Sequence, residues 1–169
     1  MAHFVRVLSG RTFRLHPAAA FPYNADFDGD EINIHSPQTE EARAEAKLIL
    51  DVKRNMISPK NNTPFVGCLA DAITGNYILS SEKISDKDAN QLLYKSHIDG
   101  VVDKKVISGN ELFSKILPKI DFKNDSMEIK KGVLVSGKID KTAFGQEDGE
   151  LIPILDKEVG RSETFDIIK

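Results

Sequence analysis

The sequence has no tryptophan, a single cysteine and few aromatic residues of any kind, 7% of 169. One thiol, Cys68, excludes both an internal disulfide framework and a CxxC zinc site. Long apolar runs are missing as well. Stretches such as Ala18 to Phe21 and Leu48 to Leu50 fall far short of the roughly 20 residues that span a bilayer. Met1 to Gly10 alternates apolar with polar residues and does not read as a signal peptide. These absences lead us to expect an intracellular protein with no membrane contact. A hydrophobic content of 40% is enough for a core, in one domain or in two small ones sharing an interface.

Acidic residues are missing from the first 25 positions, which carry Arg6, Arg11 and Arg14. Then three acids arrive together, Asp26, Asp28 and Asp30, in the run YNADFDGDEINIH from Tyr23 to His35. The net charge of −3 argues against nucleic-acid binding on bulk charge alone, yet a basic approach to a carboxylate cluster suits phosphate chemistry with a metal. Like charges this close repel, and each ionised carboxylate makes the next harder to ionise unless a cation compensates.

The surrounding pattern predicts strands at His3 to Leu8, Thr12 to His16 and Ile32 to His35, with the aspartates in a loop between them and Gly29 giving that loop its freedom. A helix is expected from Ser36 as N-cap, with Pro37 first, down to about Asn55 or Ile57. Ser58 to Pro64 reads as loop. Further helices are expected over Cys68 to Leu79, from Ser85 (with Asp88 completing a capping box) to His97, from Ser108 or Asn110 to Ile116, and over Leu151 to Val159. Asp99 to Val106 is ambiguous. Met127 to Val135 and Lys138 to Thr142 read as a hairpin turning at Ser136-Gly137. Lysine becomes frequent and alanine rarer near residue 80, a hint of a sub-boundary.

Alternating aspartates also open a calcium loop of the EF-hand kind. That loop needs Gly at its sixth position and Glu at its twelfth, where this chain has Glu31 and Pro37, and it needs helical flanks. Mg²⁺ suits the run better: three carboxylates on a tight loop would hold one face of the ion and leave the other open to water and phosphate. His16, His35 and His97 are expected to be structural, since Mg²⁺ prefers oxygen, and Cys68 to be a small core residue.

The heptad NADFDGD, Asn24 to Asp30, resembles the signature of the largest subunit of multisubunit DNA-directed RNA polymerases. The likeness continues through Gly10 to Pro17, Asp30 to Gln38, Glu41 to Ala46, Ile57 to Pro59 and Asp71 to Gly75, and more loosely through Glu111 to Pro118 and Gly137 to Lys141. Glu31-Ile32-Asn33 is similar to the archaeal and eukaryotic pattern, and the compact later region favours an archaeal source. Phe4 and Cys68-Leu69-Ala70 depart from the family's usual residues.

The resemblance implies an α+β fold. Residues 1–37 would be part of a double-psi β-barrel carrying the aspartate loop, and residues 38–169 a helix-rich pore or funnel. It implies that Asp26, Asp28 and Asp30 are catalytic and hold Mg²⁺, that Asn24 lies near the nucleotide sugar, and that Arg11 and Arg14 are candidates to contact nucleic acid. Implied partners are the other polymerase subunits, the second-largest especially, with DNA template, RNA transcript and nucleoside triphosphates. The setting would be cytoplasmic and nucleoid-associated in a prokaryote, or nuclear in a eukaryote. The chain reads as an internal piece of the subunit, begun at an internal methionine, and alone it is expected to make no RNA. Two alternatives remain at this stage: another double-psi-barrel polymerase, and a non-catalytic calcium-binding module.

Overall fold

A computed structural model describes residues 1–169. It is a mixed α+β fold of seven helices and five short strands. The C-terminal part holds most of the core. A three-stranded antiparallel sheet, β3 (Phe122–Lys123), β4 (Met127–Lys130) and β5 (Val133–Gly137), pairs in that order. Its period-two pattern turns Met127, Ile129 and Leu134 inward and leaves Val133 and Val135 outside. Against it pack α4 (Gly109–Phe113), α5 (Lys141–Phe144), α6 (Leu151–Glu158) and α7 (Arg161–Ile168). Leu151, Ile152 and Leu155 of α6 are fully buried, on one side of a helical turn. Met56, Val66 and Cys68 join the same cluster.

A smaller cluster lies beside it. Strands β1 (Lys83–Ser85) and β2 (Val106–Ser108) pair antiparallel, and α3 (Asp86–Lys95) covers them with Ala89 and Leu93. Ser85 caps α3, its hydroxyl accepting from the Asp88 N–H, as the sequence predicts. Asn90 holds the ambiguous stretch after α3: Val102 N–H donates to its Oδ1 at 2.8 Å, and its amide donates to the Val102 carbonyl at 3.1 Å. Val102 thus satisfies its backbone through a side chain rather than a ladder, while the end of that stretch, Val106, enters β2.

Several expectations are corrected. The three strands predicted before residue 36 do not form; the only β contact there is an isolated bridge between Ala2 and Asp51. A strand needs a partner and a face to bury against, and these have neither: Phe4 is 86% and Val7 92% exposed. The long helix from Ser36 is shorter. It starts after Thr39, whose hydroxyl accepts from Ala42 N–H, and runs Glu40–Leu48 as α1, with a separate 3-10 turn at Val52–Asn55. Helix α2 is displaced to Asp71–Ser81. The hairpin turns at Lys131-Gly132, not Ser136-Gly137, because both residues take the positive φ (50° and 78°) that a two-residue turn matching strand twist requires. Helix α7 carries no strong amphipathic signal and was not expected at all; it forms by docking Thr164 and Ile168 onto the core.

Candidate functional site

The acidic run hangs from a pair of tight turns. Pro17 starts a 3-10 turn with its φ already set, and His16 caps it, Nδ1 accepting from the Ala18 N–H at 3.2 Å. His16 thus serves as a backbone cap, the structural role expected of it. A second 3-10 turn, Phe21–Tyr23, ends at Asn24 in the left-handed region (φ 48°), a conformation asparagine tolerates better than most residues. Asn24 N–H donates to the Phe21 carbonyl at 2.8 Å, and Ala25 N–H to the Ala20 carbonyl at 3.3 Å. Beneath this root, Phe21 meets Phe65 edge-on, with ring centroids 6.1 Å apart.

From here the chain doubles back on itself. Asp26 N–H donates to Oδ2 of Asp30 at 2.8 Å, and Phe27 N–H to Oδ1 of Asp26 at 2.8 Å, with Gly29 at φ 119° making the reversal. Asp26, Asp28 and Asp30 are all exposed, and so is Asn24. Arg11 and Arg14 are exposed on the extended segment upstream. The donor set is chemically suited to a hard cation, being three carboxylates with no nitrogen or sulfur among them. Its geometry in this chain is not that of a finished site: no three His, Cys, Asp or Glu side chains converge anywhere. The flanks are not α-helical either, one being 3-10 and the next helix beginning only at Glu40, so the EF-hand alternative lacks its framework.

Sequence reading missed the contacts that seat this loop. His3 Nε2 and the Tyr23 hydroxyl are hydrogen-bonded at 2.5 Å, 20 residues apart. Burial, then the nearby N-terminal amine, pushes the His3 imidazole below its ordinary range against a smaller opposing pull from Asp51, and burial raises the Tyr23 phenol. Gln146 Nε2 donates to the Ala18 carbonyl at 3.0 Å from 128 residues away. No local pattern announces either contact. Cys68, by contrast, behaves as predicted: it is a buried core residue whose thiol is pushed up by burial. A concavity on the β3–β4 face, among Lys123, Glu128 and Lys130, includes no residue of the acidic run. No helix is long and apolar enough to cross a membrane.

Comparison with known proteins supplies the family. Residues 1–52 match the description "RNA polymerase Rpb1, domain 2" and residues 55–169 match "RNA polymerase Rpb1, domain 3". Among similar proteins, the DNA-directed RNA polymerase subunit Rpo1N of Thermococcus celer is 37% identical over 95% of this chain and 23% of its own length. The protein of that name from Methanococcus vannielii is 37% identical over 96% of this chain and 22% of its own length. The one from Sulfolobus acidocaldarius is 37% identical over 89% and 20%. The chain thus spans about a fifth of the length of these relatives. With two consecutive domain matches covering nearly every residue, the chain belongs to the Rpb1 family of RNA polymerase largest subunits.

Proposed function

We propose that this chain is the catalytic-centre and pore segment of the largest subunit of a DNA-directed RNA polymerase, the part that holds the catalytic Mg²⁺ and borders the path of incoming nucleoside triphosphates. The observation that supports this reading is the acidic run Asn24 to Asp30 standing inside the first of two adjoining family matches. Asp26, Asp28 and Asp30 are the proposed metal ligands. Asn24, at the left-handed corner just before them, is proposed to face the nucleotide sugar, and Arg11 and Arg14 to contact nucleic acid.

The unpartnered apolar residues of the first 37 positions fit a segment that pairs only in the whole subunit. We propose that residues 1–37 there become part of a double-psi β-barrel, and that residues 38–169 form the pore, with a sub-boundary near residue 80. Pairing from outside the chain would also draw the aspartates together. Bound there, Mg²⁺ would supply acidity to a coordinated hydroxyl and neutralise phosphate charge. The chain's own contribution is placement: the Asp26 N–H to Asp30 bond holds two of the three carboxylates on one turn, and their exposure leaves room for a substrate. The proposed partners are the other polymerase subunits, the second-largest above all, with DNA template, RNA transcript and nucleoside triphosphates, in the cytoplasm of a prokaryotic cell.

The test is Asp28→Ala in the full-length subunit, assembled with its partners. RNA synthesis should fall by at least about 10²-fold with assembly preserved, the scale expected when charge stabilisation at a reacting phosphate is removed. Near-normal synthesis would remove Asp28 from the metal site.

A further inference from the structure

The acidic loop has no core of its own, yet it is not loose. Up to residue 55, Ala19 (7% exposed) and Ala20 (6%) are the only buried residues. Ala25 N–H reaches back to the Ala20 carbonyl, so the loop is rooted on one of that pair. Ala18 and Ala19 line a cleft of about 150 Å³ whose other wall is Val66 and, from α7, Phe165 and Ile168. One hydrogen bond joins residues 16–30 to the fold beyond residue 55, and Gln146 donates it to the Ala18 carbonyl.

Gln146 is itself firmly held. Its neighbour Glu147 donates a backbone bond to the Pro64 carbonyl at 3.0 Å, and Cys68 N–H donates to the Phe144 carbonyl at 2.7 Å on the other side. The amide can face only one way, because turning it over would set its oxygen against the Ala18 oxygen. In the orientation it takes, Oε1 is buried without a partner. The fold thus leaves an acceptor unsatisfied while keeping the donor on Ala18.

We propose that Gln146 is a positioning residue for the acidic loop, fixing Asp26–Asp30 against helices α5–α7 through Ala18 and Ala20. This rests on the metal role proposed above for the loop. It adds a residue from the second matched region that touches neither metal nor substrate and acts through backbone alone. Ligand placement tolerates little error, so loosening this root should show in metal affinity.

Two measurements test it. In this chain, amide hydrogen exchange should report Ala25 and Asp26 exchanging about ten-fold faster in Gln146→Ala, with the amides of β4 and β5 unchanged, as local opening without global unfolding requires. In the assembled polymerase, the same change should raise the Mg²⁺ concentration for half-maximal RNA synthesis several-fold at unaltered melting temperature. If Gln146→Ala does not fold, Gln146→Glu keeps the shape, replaces the donor with an acceptor, and should give the same two shifts. Unchanged exchange at Ala25 and Asp26 in a folded variant overturns the proposal. Asp28→Ala separates the two readings: if it abolishes synthesis while Gln146 variants leave the Mg²⁺ requirement where it was, only the positioning role fails; if it leaves synthesis intact, the metal reading itself fails.

Discussion

A β-carbon added at Gly109 would stand 1.6 Å from the Leu79 carbonyl oxygen, inside the contact between the start of α4 and the end of α2. Gly109 N–H also donates to the Glu82 carbonyl at 3.0 Å, so the backbone has no room to retreat. Gly109→Ala should cost about 3 kcal/mol, the upper part of the range for overpacking, and lower the melting temperature by about 6–12 °C in a chain of this size. Gly75 makes the opposite case. It lies mid-helix in α2, exposed, and an added β-carbon would meet nothing within 4 Å. Gly75→Ala should therefore stabilise the chain by about 0.5–1 kcal/mol through helix propensity and a less free unfolded state. Thermal melts of the two variants check both signs, and a destabilised Gly75→Ala would mean that α2 is held in some other way.

At the level of elements, the short helix α5 depends on its cap. Burial raises the Asp140 carboxyl, but hydrogen bonds from the Thr142 hydroxyl and backbone, the Ser126 hydroxyl and the Ala143 backbone outweigh it and hold the carboxyl below its ordinary range. A depressed carboxyl stabilises the fold fully above its unfolded value of about 3.9 and loses that contribution as pH falls through the lower folded value. Asp140→Ala should cost about 1 kcal/mol near neutrality, the usual cost of a lost cap, and the difference from the parent chain should shrink as pH falls below the unfolded value and through the lower folded one. A pH-independent difference in denaturant midpoints would show that Asp140 acts by packing instead. The legible elements are of this local kind. Ser85 before α3 and the buried spacing of α6 can be read because the cap and the periodicity are written within a few residues. The first strands were misread, since alternation at Phe4, Val5 and Val7 states a tendency and not the presence of a partner. The hairpin turn was misplaced by five residues for a related reason: Lys131 enters the left-handed region without the Asn or Asp that usually marks it. Of the candidate site, the donor chemistry was legible and the seating was not, because Tyr23 with His3 and Ala18 with Gln146 meet only through the fold.

For the molecule as a whole, burial is divided unevenly. Seventeen buried residues, from Met56 to Ile168, make one cluster, while positions 1–55 contribute two buried alanines. Limited proteolysis should cut first between residues 3 and 36 and leave a resistant piece from about Met56 onward; simultaneous loss of both parts would contradict this division. The same division predicts weak Mg²⁺ binding by the chain alone, because its three carboxylates do not converge. Calorimetry giving a Kd of about 10⁻⁶ M or tighter, some 8 kcal/mol, would show a loop already organised.

The bond between Gln146 and Ala18 has a consequence in time. A ribosome makes the acidic loop well before its anchor, which follows Ala18 by 128 residues, so while that stretch is being synthesised the three aspartates lack this tether. Only when α5 and the turn after it have emerged and folded can the nascent chain close that span, so the acidic loop is seated later than its place in the chain would suggest.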